Sequence, residues 1–269
     1  MGALILFPFV FRGSRPTKIE IRQGFLLAMW GGIAMWLQSD ALAYTEASTS
    51  AFLTQAYCIF LPLWTSIRLR RGPETKVIIA TLMILVGGAI LAGLRLNHFR
   101  LGRGEVETLI AAFIFTFQIL TLENPRYQKT RGVVVSFFMF LGIAILFVPI
   151  TLLTAPNIET CFAAGGSIHS SIIIVCLALF CSVGAYVLMN IWQPRVTATE
   201  AGLIYTLEPV FTAVYVLFLP TILGSFIGIP YSNESLTNRM IVGGSLVLFA
   251  NCLMQWKSSP HLPPAGPVH

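Results

Sequence analysis

Eight apolar runs, at residues 24–44, 49–67, 77–94, 106–122, 132–154, 171–192, 199–222 and 240–256, are separated by short polar loops. A helix needs roughly 20 apolar residues to cross a bilayer core about 30 Å thick, and only helices and closed barrels satisfy their backbone groups there. Runs of this length read as spanning helices. Charged residues are 10% of the 269 residues, too few for the water-facing surface of a soluble domain, where they reach about 25%. The expected fold is therefore all-α, a polytopic membrane helix bundle solvated by the lipid bilayer. The opening run, "MGALILFPFVF" (1–11), is too short to cross alone and lacks the basic start and small-residue cleavage site of a signal peptide. The Pro-rich stretch 257–269 reads as a disordered cytoplasmic tail.

The net charge of +6 and pI near 9.3 do not point to nucleic acid, because the basic residues border apolar runs, where they set topology. Arg12, Arg15, Lys18, Arg22, Arg68, Arg70, Arg71, Lys76, Arg126, Lys129, Arg131, Arg195 and Lys257 fall on one side, against Arg95, Arg100, Arg103 and Arg239 on the other. Thirteen against four puts the first set in the cytoplasm. The five cysteines, of which four lie in apolar runs, have no zinc-like spacing and read mainly as small core residues. The four histidines are scattered, so no metal and no cofactor is expected.

An internal repeat comes next, since in transporters it locates the site. "ASTSAFLTQAYCIF" (47–60) lies on "ATEAGLIYTLEPVF" (198–211) at an offset of 151, with Ala47/Ala198 and Phe60/Phe211 identical and Ser48/Thr199, Ala51/Gly202 and Leu53/Ile204 alike in character. The charge count runs these helices in opposite directions, so the repeats are inverted: 1–95 and 104–256. "MGALILFPFVF" also lies on "LGIAILFVPIT" (141–151), the back half of a complete run. The expectation is eight full spanning helices plus an N-terminal partial one, with about 35 residues missing upstream of Met1 by comparison with the second repeat.

"YTEASTSAFLTQAYCIFLPL" (44–63) and "RVTATEAGLIYTLEPVF" (195–211) resemble the paired signatures of EamA-type carriers in the drug/metabolite transporter superfamily. The resemblance implies a ten-helix, two-repeat exporter or permease of small metabolites, here lacking the first helix, in the cell inner membrane or plasma membrane.

Glu208 lies about nine residues into its run, roughly 13 Å deep at 1.5 Å per residue and so near the midplane. A charge there costs about 3 kcal/mol on insertion scales and must face the bundle. Tyr205, Glu208, Thr212 and Tyr215 share a helical face, as do Ser50, Thr54 and Tyr57, and the repeat pairs Thr54 with Tyr205 and Tyr57 with Glu208. With Trp36 and Gln38 from the preceding run, these are the substrate-cavity candidates: Glu208, Tyr205, Thr212, Tyr57, Thr54, Trp36 and Gln38. Three roles for Glu208 stand side by side: a hydrogen-bonded strut between helices, a cavity lining, or a proton-coupling carboxylate. Pro209 and Pro62 are expected to bend their helices, freeing the carbonyls of Tyr205 and Cys58. Gln118, Asn190 and Gln193, near cytoplasmic ends, read as interfacial. The small residues of "GGAILAG" (87–93) and "GGS" (243–245) allow close helix packing within the chain, with a homodimer contact as the second reading.

GxSxG, HExxH and a Walker A loop are all absent from the sequence, so neither an intramembrane enzyme nor ATP-driven transport is supported. The function expected is secondary transport of a small molecule, an amino acid or related metabolite, by alternating access between the inverted repeats. The alternative is a truncated, non-transporting membrane protein or partner subunit.

Overall fold

A computed structural model describes residues 1–12, 14–93, 101–154, 166, 168–227 and 232–255. The expected tail, 257–269, lies outside them, as does Cys161. Of the described residues 82% are helical, and none is in a strand. The helices are α1 (Gly2–Phe11), α2 (Lys18–Ala41), α3 (Ala47–Thr54), α4 (Tyr57–Leu69), α5 (Thr75–Ala92), α6 (Arg103–Glu123) and α7 (Gly132–Thr154). They continue as α8 (Ile168–Cys176), which runs through a π-helical stretch (Leu177–Gly184) into α9 (Ala185–Trp192), then α10 (Ala198–Tyr205), α11 (Glu208–Tyr215), α12 (Leu219–Ile227) and α13 (Asn238–Gln255). Each of the eight apolar runs is helical. Among the described residues five helices, Thr49–Leu69, Thr75–Ala92, Arg103–Glu123, Gly132–Thr154 and Ser171–Arg195, are long and apolar enough to cross a membrane, and a bent pair, Ala198–Tyr215 with Leu219–Ser225, makes a sixth if it is one span. The protein is a multi-pass membrane helix bundle.

Helix α2 starts six residues before its apolar run because Thr17 caps it: Glu20 N–H donates to Thr17 Oγ1, and Thr17 N–H donates back to Glu20 Oε2 at 2.8 Å. The same carboxylate receives Arg131 from the start of α7, through Nε at 2.8 Å, Nη2 at 3.0 Å and the backbone N–H at 3.0 Å. Arg131 also reaches Ser14, so one buried carboxylate ties the α1–α2 loop, α2 and α7 together. From there α2 and α7 run in parallel in close contact: a Cβ on Gly24 would lie 2.8 Å from the Val135 carbonyl oxygen.

The other close crossing joins α5 and α13. A Cβ on Gly87 would lie 2.8 Å from Gly243 O, and one on Gly243 would lie 2.7 Å from Gly87 O. The two glycine motifs therefore meet each other, backbone to backbone. Packing crosses the sequence halves at both places: α2 lies along α6 and α7, and α5 along α13. A core of Tyr57, Leu61, Ile84, Leu203, Val210 and Val247 joins α4, α5, α10, α11 and α13. Of the cysteines described, Cys58 is buried, but Cys176, Cys181 and Cys252 are exposed on outward faces. The small-core reading thus fails for those three, because in lipid an apolar run places thiols outward at no cost.

The helix breaks fall elsewhere than the prolines suggested. The first lies at Gln55–Ala56, and Pro62 continues inside α4, where the Cys58 carbonyl it frees accepts Thr81 Oγ1 at 3.4 Å. The second lies at Thr206–Leu207, so Pro209 sits in the first turn of α11 rather than within a bent helix. The sharp bend, 65°, comes between Tyr215 and Leu219. Pro220 follows it, and the Val216 carbonyl that Pro220 cannot bond accepts the Glu234 N–H at 2.9 Å.

The Glu20 carboxyl is held at about 2, against an ordinary 4.5, chiefly by the Arg131 guanidinium, with burial opposing. A depressed carboxyl stabilises above its unfolded value, so this contribution is complete above about pH 4.5 and lost as pH falls toward 2. Glu20→Gln in detergent at neutral pH is expected to cost about 2 kcal/mol, after solvent screening at the exposed Arg131 end, and to flatten the acid limb of a Tm-against-pH curve. Gly87→Ala is expected to cost about 1–3 kcal/mol by overpacking α5 against α13. Gly72→Ala, with nothing within 4 Å of the added methyl, serves as the control in the same melting measurement.

Candidate functional site

The two breaks are the same structure repeated. Gln55 N–H donates to Phe52 O and Ala56 N–H to Leu53 O, while 151 residues on Thr206 N–H donates to Leu203 O and Leu207 N–H to Ile204 O. Past the break, Ile59 and Phe60 N–H both donate to Ala56 O, as Val210 and Phe211 N–H both donate to Leu207 O. Each arm tightens to i→i−3 bonding for one turn and then restarts. They differ at one bond: Cys58 N–H donates to Gln55 O, where Pro209 has no N–H to give.

Tyr57 and Glu208 are therefore the first residues of the restarted helices α4 and α11. Tyr57 is buried and Glu208 is accessible. Glu208 lies within electrostatic range of Tyr57 and of Tyr186 in α9. Tyr186 also donates its hydroxyl to Met35 Sδ at 3.7 Å, and Met35 and Tyr186 are themselves 151 residues apart. One pair of repeat-equivalent residues, Met35 and Tyr186, is thus in contact, and the other, Tyr57 and Glu208, lies within electrostatic range, as a local two-fold relation between inverted arms would give.

The other candidates divide. Gln38 Nε2 donates to Thr54 Oγ1 at 2.9 Å, and Thr54 donates to Ser50 O, joining α2 to α3. Tyr205 turns away from Glu208, its hydroxyl donating to Gln193 Oε1 at 2.6 Å while Gln193 Nε2 donates to Ile119 O at 2.9 Å. The break separates Tyr205 from Glu208, so the single polar stripe expected over Tyr205, Glu208, Thr212 and Tyr215 does not run straight. Trp36 and Thr212 are exposed, and their side chains make no hydrogen bond among the described residues.

Sequence reasoning missed Tyr186, although extending the repeat alignment back from Thr54/Tyr205 to Met35 would have paired it. It also placed Gln118, Asn190 and Gln193 at the interface, whereas all three are buried. The signal was their position one turn from a helix end, where a polar residue reads as solvated until the packing of the neighbouring helix is known. No group of His, Cys, Asp and Glu able to hold a metal occurs among the described residues.

A cavity of about 690 Å³ lies elsewhere, at the end of the bundle that the charge count assigns to the cytoplasm. It is lined from the ends of α4, α6 and α9 and the start of α7, and includes none of the midplane candidates.

Residues 1–93 match the model of the EamA-like transporter family. The "YTEASTSAFLTQAYCIFLPL" stretch lies inside that match, and the resemblance read from it is borne out there. An uncharacterized transporter of Archaeoglobus fulgidus is 22% identical over 199 residues, which are 73% of this chain. The chain spans 60% of that protein's length. A protein of known crystal structure shares the fold, with a TM-score of 0.64 over 94% of this chain and 93% of its own, at 14% identity.

Tyr205→Phe is expected to leave the buried Gln193 carbonyl oxygen without its donor and to cost about 1–3 kcal/mol. A thermal melt in detergent, with Tyr215→Phe at an exposed position as control, checks it.

Proposed function

From an EamA-like transporter domain over residues 1–93, we propose that the chain is a secondary membrane transporter, an exporter or permease of a small metabolite such as an amino acid or related compound. It is not an enzyme, and it resides in the cell inner membrane or plasma membrane. The repeats are 1–95 and 104–256, and access alternates between bodies that mix helices of both, since α2 packs on α7 and α5 on α13.

One observation carries this reading: two arms of opposite predicted direction, broken at equivalent residues, with Tyr57 and Glu208 at the restarts. Discontinuous helices related by inverted symmetry are where secondary carriers build their midplane sites. Glu208 supplies the charge there, as proton carrier or as direct ligand, Tyr57 and Tyr186 stand near it with aromatic bodies and hydroxyls, and Tyr205, held to Gln193, braces the arm just before the break. Gln38 and Thr54 form the adjoining polar step, with Trp36 and Thr212 accessible beside it. Pro209, lacking an N–H, keeps the α11 break open on the Glu208 side.

In proteoliposomes loaded with a panel of labelled amino acids, Glu208→Gln is expected to reduce flux at least about tenfold, and Tyr57→Phe less. Flux unchanged in both variants removes the midplane site. No flux of any panel member from the unmutated chain leaves the non-transporting reading standing.

A further inference from the structure

The 690 Å³ cavity at the cytoplasmic end carries chemistry that the midplane reading does not use. Two cations reach it from different helices, Arg68 at the end of α4 and Arg195 just after α9, against one carboxylate, Glu123. Among the described residues Arg68 makes no ion pair, and Arg195 holds its guanidinium 3.9 Å over the Trp192 ring, a contact that leaves its N–H donors available. Trp64 forms one wall and is fixed edge-on against Phe117 at 5.1 Å.

A second observation points to a ligand. Asn190 lines the cavity at 5% exposure, and its Oδ1 has no hydrogen-bond partner. Its orientation is set: Ser136 Oγ donates to Gly132 O at 2.8 Å, so that hydroxyl oxygen accepts Asn190 Nδ2 at 2.8 Å, and Oδ1 is left buried without a donor. A buried amide oxygen is not normally left unpaired, because its desolvation is then uncompensated. The cleft thus offers a cationic side, an apolar aromatic wall and one acceptor in need of a donor.

We propose that this cleft is a second ligand site, for a small organic anion that also carries an N–H or O–H donor. Arg68 and Arg195 face the anionic group, Asn190 Oδ1 accepts the donor, and the body of the ligand lies against Trp64. The site stands apart from the transport reading, which rests on other residues, and binding rather than flux tests it.

The probe is N-acetylglycine, which has a carboxylate and an amide N–H, on the full chain in lipid nanodiscs. Gln128→Cys, an exposed position on the cavity rim, reports occupancy through its rate of alkylation by a maleimide, read by peptide mass spectrometry. N-acetylglycine is expected to slow alkylation saturably. N-acetylsarcosine, which lacks the N–H, and N-acetylglycinamide, which lacks the charge, are expected to need at least about tenfold higher concentration for the same protection. Arg195→Gln and Arg68→Gln, both at exposed positions that leave the core intact, should each weaken N-acetylglycine protection about tenfold. The proposal is overturned by an alkylation rate that N-acetylglycine does not change, by equal protection from the two analogues, or by full protection in both arginine variants.

Discussion

In hydrocarbon no water replaces a missing backbone partner, and the architecture turns on that constraint. Every place where a helix stops short of the bilayer edge must find its hydrogen bonds inside the protein. Thr81 reaches across from α5 to the Cys58 carbonyl, and the Glu234 N–H returns from the outer loop to Val216 O. At the paired breaks the chain tightens one turn and restarts, which keeps most of the local backbone groups paired.

Helices of near-uniform apolarity gain little from hiding side chains from lipid, so contact is decided by how near the backbones can come. Gly24 against Val135 and Gly87 against Gly243 fix two close crossings, and both join opposite halves of the sequence. The halves are consequently interleaved: neither closes a core by itself. The polar knots at the two ends then set the vertical register. Glu20 with Arg131 fixes one face, and Arg103 with Asp40, Glu107 and Tyr44 fixes the other.

The helical class, the eight runs and the family resemblance were legible because each rests on composition or local pattern. The offset of 151 was legible from a few matched residues between 47–60 and 198–211, and the backbone bonding at the breaks follows the same offset. The breaks themselves were not. Proline is the one visible helix breaker, so attention went to Pro62 and Pro209, while Gln55–Ala56 looks like any helical dipeptide; what interrupts it is packing. The sharpest bend, before Pro220, was hidden in the same run for the same reason. Likewise Tyr205 shares a helical face with Glu208 only if the helix is continuous, and once it restarts at residue 208 the hydroxyl is free to reach Gln193. Burial of Asn190 and Gln193 depends on α7 and α6, which the local sequence does not contain.

If the proposed repeats are related by a two-fold axis, the neighbouring pairs Met35/Tyr186 and Tyr57/Glu208 impose a rule on what that axis can hold. A residue beside a two-fold relation looks at its own counterpart, so a symmetric chain would present the same group twice. For tyrosine or methionine that is harmless. For a carboxylate it is not: two would share one low-dielectric spot, and one would be forced to keep its proton. Under the proposed inverted-repeat arrangement, a lone carboxylate beside the axis requires halves that have stopped being identical, and the divergence at 57 and 208 supplies that difference.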